Sequence, residues 1–238
     1  MATAIRAVLF DIGGVIADSP IMAIRRYCAS IGMADINPFL GDSPAWNAYM
    51  RGAMARPEYD VALAAELEEA GFGEVDVGAL MEGTFGAQGG HRPLMIRTIR
   101  RLREAGLLTG ALTNNWASDP LPDPAEQAAA EAEHVKFTAL FDAFVESSVT
   151  GLQKPDPAIY ELALKELGGL PAAEVAFLDD IGLNLKPPKA MGMTTIKVNN
   201  ESEWEWLEAV AELEDATGLT LLEPEDRALH TWPAPSKL

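Results

Sequence analysis

Residues 7–20 read AVLFDIGGVIADSP. Four apolar residues, Ala7 to Phe10, run without interruption into one carboxylate, Asp11, and glycines follow at 13 and 14. A continuous apolar run of this length, bounded by a glycine turn, reads as a strand buried on both faces, as in parallel sheets. In open α/β sheets the ligand crevice lies just beyond the carboxyl ends of the strands, which is where Asp11 falls. Glycines there let the backbone approach a ligand and present N–H groups to an anion. Taken alone, Asp11 fits a helix cap or turn former as readily as a reacting group.

The same pattern repeats along the chain. LLTGALTNN (107–115) is an apolar run that ends in Thr113 and Asn114, and AEVAFLDD (173–180) ends in Asp179 and Asp180. FDAFVESS (141–148) and TTIKV (194–198) also read as strands. Between them lie helical segments: RPLMIRTIRRLREAG (92–106), PAEQAAAEAEHV (124–135), DPAIYELALKELGG (156–169), a stretch around 185–191, and SEWEWLEAVAELEDATG (202–218). In the first, Leu94, Ile96, Ile99 and Leu102 lie near one face and basic residues cover the other. Strand–helix alternation of this kind predicts an α/β fold, a doubly wound, Rossmann-like parallel sheet with helices on both faces. Polar clusters at three strand ends would then converge on one crevice.

Residues 18–90 break the alternation. MAIRRYCASIG, SPAWNAYMRGAM and RPEYDVALAAELEEAGF read as helices with Ser, Pro and Gly at their ends, and no strand is evident. The expected organisation is a core of residues 1–17 and 91–222, an inserted all-helical cap at 18–90, and a tail at 223–238 without clear periodicity, either strapped across the surface or without fixed order.

Composition narrows the function. The 238 residues carry a formal net charge of −18, which repels nucleic acid phosphates and anionic lipid and argues against both as partners. An anionic substrate would need strong local cationic features. Cys28 is the one cysteine, so no intramolecular disulfide forms; it reads as a packing residue, and a reducing cytoplasm is the expected location. No apolar span reaches membrane length. The three histidines are scattered singly, without zinc-ligand spacing. Adjacent Asp179 and Asp180 at the end of a buried strand are costly unless a cation binds there, and oxygen ligands of this kind suit Mg²⁺. GLQKPDPAIY (151–160) places Lys154 in a loop stiffened by two prolines, able to neutralise an anion or simply solvated. Arg51 and Arg92 are cationic candidates for a second anionic group on a substrate, although such residues are more often solvated.

FDIGGV, LTNN, GLQKPDPAIY and FLDDIGLNLKP, in this order from residue 5 to about 200, resemble the four motifs of the haloacid dehalogenase superfamily of hydrolases with a helical cap. Within it the chain is similar to the N-terminal phosphatase domain of soluble epoxide hydrolases and the related N-terminal domain of some acyl-CoA dehydrogenase proteins. The resemblance implies a Mg²⁺-dependent phosphatase acting on a small phosphorylated substrate. Asp11 would be the nucleophile, and Lys154 would hold it ionised. Thr113 and Asn114, with the glycine turn at Gly13 and Gly14, would bind the phosphoryl group. Asp11, the Gly13 carbonyl and Asp180 would ligate the metal, with Asp179 in support and Asn184 contributing nearby. Gly13 departs from the pattern, because most such phosphatases carry there an Asp that protonates the leaving alcohol. A second expectation is therefore a catalytically weak phospho-ligand-binding or regulatory protein. The metal-free dehalogenase branch has no use for the Asp179–Asp180 pair. The phosphonate-cleaving branch uses a cap lysine, and residues 18–90 contain none.

Overall fold

The computed structural model describes residues 4–85, 90–116, 122–200 and 204–229. Five parallel strands form one sheet: β1 (Ala7–Phe10), β2 (Leu108–Thr113), β3 (Ala143–Glu146), β4 (Val175–Asp179) and β5 (Thr194–Lys197), in the order β3-β2-β1-β4-β5. All five were expected from their apolar runs. The chain leaves β1 toward β2 and β3 and returns to the other side of β1 with β4, so the topological switch lies between β1 and β4. Phe10 pairs with Leu178, which sets Asp11 level with Asp179, and Asp11 N donates to Leu178 O at 2.9 Å.

Why β1 is apolar throughout follows from its two neighbours. Val8 and Phe10 face a cluster with Met95, Ile99 and Leu102 of α6 (Pro93–Glu104) and Val210 and Leu213 of α11 (Trp204–Thr217). Ala7 and Leu9 face the opposite cluster, with Ile159, Tyr160 and Ala163 of α9 (Pro157–Glu166). Alternate side chains of a central strand thus enter different layers, and neither face tolerates a polar residue.

A third cluster gathers α1 (Pro20–Ser30), α2 (Asn37–Leu40), α3 (Pro44–Met50), α4 (Arg56–Glu69) and α5 (Val77–Phe85) around Ile24, Tyr49, Tyr59 and Leu63, with Cys28 fully buried among them. α2 and α5 were not anticipated. The first is one turn long, and VGALMEGTF is apolar nearly all round, so it lacks the two-faced pattern of a surface helix. The remaining helices are α7 (Pro124–Thr138), α8 (Ser147–Thr150), α10 (Lys186–Met191) and α12 (Pro224–Ala228).

The stretch beyond Leu222 is more ordered than its composition suggests: α12 is clasped to the basic face of α6. Arg101 reaches Leu221 O at 2.7 Å and Glu223, Arg97 pairs with Asp226, and Arg227 pairs with Glu214, whose other oxygen accepts from Leu221 N and Leu222 N. The rest of the expected tail, 230–238, lies outside the described residues. No helix among the described residues is long and apolar enough to cross a membrane.

Candidate active site

The loop between α8 and α9 carries Lys154 beneath the ends of β1 and β4. Its Nζ lies 2.9 Å from Asp11 Oδ1 and 2.7 Å from Asp179 Oδ2, and the side chain is 1% exposed. Asn114, at the end of β2, fixes that loop: Lys154 N donates to Asn114 Oδ1 at 2.8 Å, and Asn114 Nδ2 donates to Lys154 O at 2.9 Å. α9 starts immediately afterwards on Asp156, whose side chain accepts from Ala158 N at 3.0 Å.

Asp179 is wholly enclosed. Its Oδ1 accepts from Ile181 N at 2.7 Å, and Asn184 Nδ2 stands 3.2 Å from both of its oxygens. Tyr160 Oη in turn donates to Asn184 O at 2.6 Å. Asp180 faces another way: its Oδ2 accepts from Ser19 Oγ at 2.9 Å and Asn200 Nδ2 at 3.0 Å. One oxygen from each of Asp11, Asp179 and Asp180 falls within 4.8 Å of the others. Among the described residues Lys154 is the one cation in ion-pair contact with this cluster, and it meets two of the three carboxylates, Asp11 and Asp179. Burial pushes the Asp11 carboxyl well above the ordinary range, against the pull of Lys154. Burial likewise pushes Asp180 up to about 6, with the Asp179 charge adding to it. For Lys154, burial alone would lower the pKa, but Asp11 and Asp179 overcome it and hold the ammonium charged. A buried, all-oxygen, electronegative cluster of this kind fits a hard divalent cation.

Two glycines shape the turn. Gly14 has φ +78°, and a Cβ there would lie 2.0 Å from Asp180 Oδ2. Gly13 has no such backbone demand, yet a Cβ there would lie 2.8 Å from Pro20 Cδ. Asp11, Lys154, Asp180, Asn114 and Asn184 form the polar base of a cavity of about 260 Å³. Its wall is apolar apart from Asn37, and includes Pro20, Ile21, Ile24, Leu40, Trp46 and Met50. α3 brings the last two, and core loops tie that helix down. Gln153 Nε2 donates to Asn47 Oδ1 at 2.7 Å, Ser147 Oγ donates to Met50 O at 2.5 Å, and Trp116 stacks on Tyr49 at 6.0 Å between ring centroids.

Asp11, Gly13, Asn114, Lys154, Asp180 and Asn184 therefore share one cavity, and Asp179 stands just behind it. Thr113 is buried at the end of β2 but is not among the lining residues. Arg51 departs from expectation: it is exposed at the end of α3, outside the lining, because the turn after it packs Gly52 against Ser148. Arg92 departs too. It is 6% exposed, donates to Gly14 O at 2.8 Å, Val15 O at 3.1 Å and Asn200 Oδ1 at 3.1 Å, and stacks on Trp206 at 3.5 Å. It buttresses the turn carrying Gly14 and braces Asn200, which holds Asp180. Arg92→Met should cost roughly 1.5–3 kcal/mol, the range for a hydrogen bond to a charged group, in a chemical denaturation series. No change in midpoint would show the buttress to be energetically idle. Ser19 and Asn200 were missed, although Asn200 follows TTIKV at a fourth strand end and the strand-end reasoning applies to it.

A family model for haloacid dehalogenase-like hydrolases matches residues 5–192. The chain is 39% identical to bifunctional epoxide hydrolase 2 of Sus scrofa over 129 residues, 54% of this chain and 21% of that protein. It is 31% identical to acyl-CoA dehydrogenase family member 10 of Mus musculus over 226 residues, 91% of this chain and 19% of that protein. The chain thus spans about a fifth of the length of these relatives. A HAD family enzyme of Bacteroides thetaiotaomicron, an Asp-to-Ala mutant in complex with magnesium and inorganic phosphate, superposes with a TM-score of 0.57 at 17% identity, covering 86% of this chain and 99% of that one. With its sheet order and the four motifs gathered at the sheet's carboxyl edge, the chain belongs to the haloacid dehalogenase-like hydrolases.

Proposed function

We propose that this hydrolase is a Mg²⁺-dependent phosphatase that cleaves a small phosphomonoester through an aspartyl-phosphate on Asp11. The observation that carries the reading is Lys154 Nζ held between Asp11 Oδ1 and Asp179 Oδ2 at the base of a closed-in cavity. A carboxylate nucleophile must meet an anionic phosphate, and it needs a fixed cation beside it to do so. Asp11 attacks phosphorus. Lys154 offsets the charge at the Asp11 oxygen, and Asp179 with Asn184 keeps the ammonium in place. Asn114 holds the Lys154 backbone rather than adding charge. Mg²⁺, held by Asp11, the Gly13 carbonyl and Asp180, would neutralise the phosphoryl oxygens. Helices α1–α5, within residues 18–90, act in this reading as a cap that excludes water from the cavity and shapes it for substrate. The enzyme would work on a small molecule in the cytoplasm.

The direct test is metal removal. Exhaustive EDTA treatment should abolish hydrolysis of 4-nitrophenyl phosphate, and added Mg²⁺ should restore it. Asp180→Ala should weaken Mg²⁺ binding in a calorimetric titration more than Asp179→Ala, because Asp180 lines the cavity whereas Asp179 is occupied by Lys154, Ile181 N and Asn184. Activity that survives chelation would point to the metal-free branch of the family. A second reading, a phospho-ligand binder, draws on Gly13. It predicts Mg²⁺-dependent phosphate binding without steady release of nitrophenolate.

A further inference from the structure

Hydrolysis of an ordinary alkyl phosphate needs a proton at the bridging oxygen as it leaves. Among the described residues lining the cavity, the ionisable ones are Asp11, Lys154 and Asp180. Asp11 is taken as the nucleophile. Lys154 is locked between two carboxylates. Asp180 is turned toward Ser19 and Asn200, both of which donate to its Oδ2, and in the phosphatase reading it holds the metal. The other polar lining groups are amides, which donate hydrogen bonds without releasing protons. Asn37 spends its amide group on Ile21 O and Asp35, and Asn184 spends its own on Asp179. Asp18 is 61% exposed, faces Arg92 at 3.7 Å, and does not line the cavity. The Pro20 ring fills the position toward which a side chain at residue 13 would grow. The wall beyond the polar base is apolar apart from Asn37 and carries no second cation among the described residues.

We propose, resting on the phosphatase reading, that the substrate is an apolar phosphate whose leaving oxygen departs as a weakly basic anion: an acyl phosphate or an aryl phosphate. In the first step an Asp11 oxygen bonds to phosphorus, the bond from phosphorus to the leaving oxygen breaks, and its electron pair goes with the carboxylate or phenolate. No proton is transferred. In the second step water adds to phosphorus, the bond to Asp11 breaks, Asp11 returns as a carboxylate, and the water's protons end on inorganic phosphate and solvent. Asp11 is itself a weakly basic leaving group, so this step needs no acid either. A leaving alkoxide, by contrast, would be a strong base stranded against Ile24, Leu40 and Trp46.

The experiment compares kcat/KM of the wild-type chain with Mg²⁺ on benzoyl phosphate, 4-nitrophenyl phosphate and benzyl phosphate, which present similar rings and differ in leaving group. Benzoyl and nitrophenyl phosphate should exceed benzyl phosphate by ~10²–10⁴-fold, the usual worth of a positioned acid that this site lacks. Preference between the first two separates the acyl from the aryl source. Benzyl phosphate within about tenfold of both, the level expected when an enzyme supplies the proton, would overturn the inference. Acetyl phosphate should show a higher KM than benzoyl phosphate, and equal KM values would overturn its apolar half. Turnover of none of these compounds, or benzoyl phosphate cleavage undiminished in Asp11→Asn, would instead sink the phosphatase reading. A flat series that still depends on Asp11 sinks only the leaving-group inference.

Discussion

Asp11→Asn is expected to lower turnover of 4-nitrophenyl phosphate by ~10⁴-fold or more, in line with losses seen when a nucleophile is removed, while circular dichroism and elution volume stay unchanged. The amide keeps the shape of the carboxylate. It can still accept at Oδ1 from Ile12 N, now 2.7 Å away, and it can still face Lys154. What is lost is the oxygen that bonds to phosphorus. The substitution also changes the charge balance in a way that separates mechanism from damage. Three carboxylates face one ammonium in this cluster, and burial disfavours the charged form of Asp11. A carboxyl whose folded pKa is raised favours the fold at acid pH and opposes it as pH climbs through that raised value. In EDTA at neutral pH, Asp11→Asn should therefore melt no lower than wild type, and higher if the carboxylate is strained. The Asp11 contribution to wild-type stability should grow as pH falls toward the ordinary value of 3.8, and the variant should lose that part of the dependence. A folded Asp11→Asn protein that keeps most of its activity would exclude the covalent route.

The parts of this site that could be read from the sequence are those dictated locally. An apolar strand ending in a polar residue states both the burial of the strand and the place of its end, so Asp11, Asn114 and the Asp179–Asp180 pair were found by one rule. The same rule applied to TTIKV would have found Asn200. Other features depend on partners far away in the chain. Arg92 reads as a surface cation in RPLMIRTIRRLREAG, but its partner Gly14 is 78 residues distant and its stacking surface is Trp206. The basic face of α6 likewise reads as solvated until α12 folds onto it, with Arg97 and Asp226 separated by 129 residues. Arg51 misled in the opposite direction. Its charge suggested a substrate contact, whereas it is exposed and the glycine after it serves a close approach to Ser148. Charge alone does not say whether a side chain faces a cavity, a carboxylate or water.

Position 13 joins sequence, packing and chemistry. The family resemblance implies an acid there in most such phosphatases, so Gly13→Asp is the natural repair, but the structure predicts that alone it fails. The backbone at Gly13 permits a side chain, since its φ lies outside the left-handed region. The obstacle is Pro20, whose Cδ and Cγ would lie 2.8 and 3.0 Å from the new Cβ. Pro20 opens α1 behind Ser19, and Ser19 Oγ holds Asp180. A ring at a helix start cannot swing aside as a flexible side chain would, so Gly13→Asp should push α1 or the Gly14 turn and disturb Asp180. Pro20→Ala removes the ring at a cost of about 0.4–1 kcal/mol from greater freedom of the unfolded chain. The double variant should then raise kcat/KM on benzyl phosphate, with ~10²–10⁴-fold as the ceiling, while nitrophenyl phosphate, which needs no proton, changes little. Four proteins complete the cycle: wild type, each single variant and the double. The expected signature is strong coupling, because neighbouring residues that compete for one space are not additive. If Gly13→Asp alone matches the double variant, the proline ring is no obstacle. If neither gains on the alkyl ester, the missing acid does not limit turnover, and the leaving alcohol takes its proton from a group not counted among those lining the cavity.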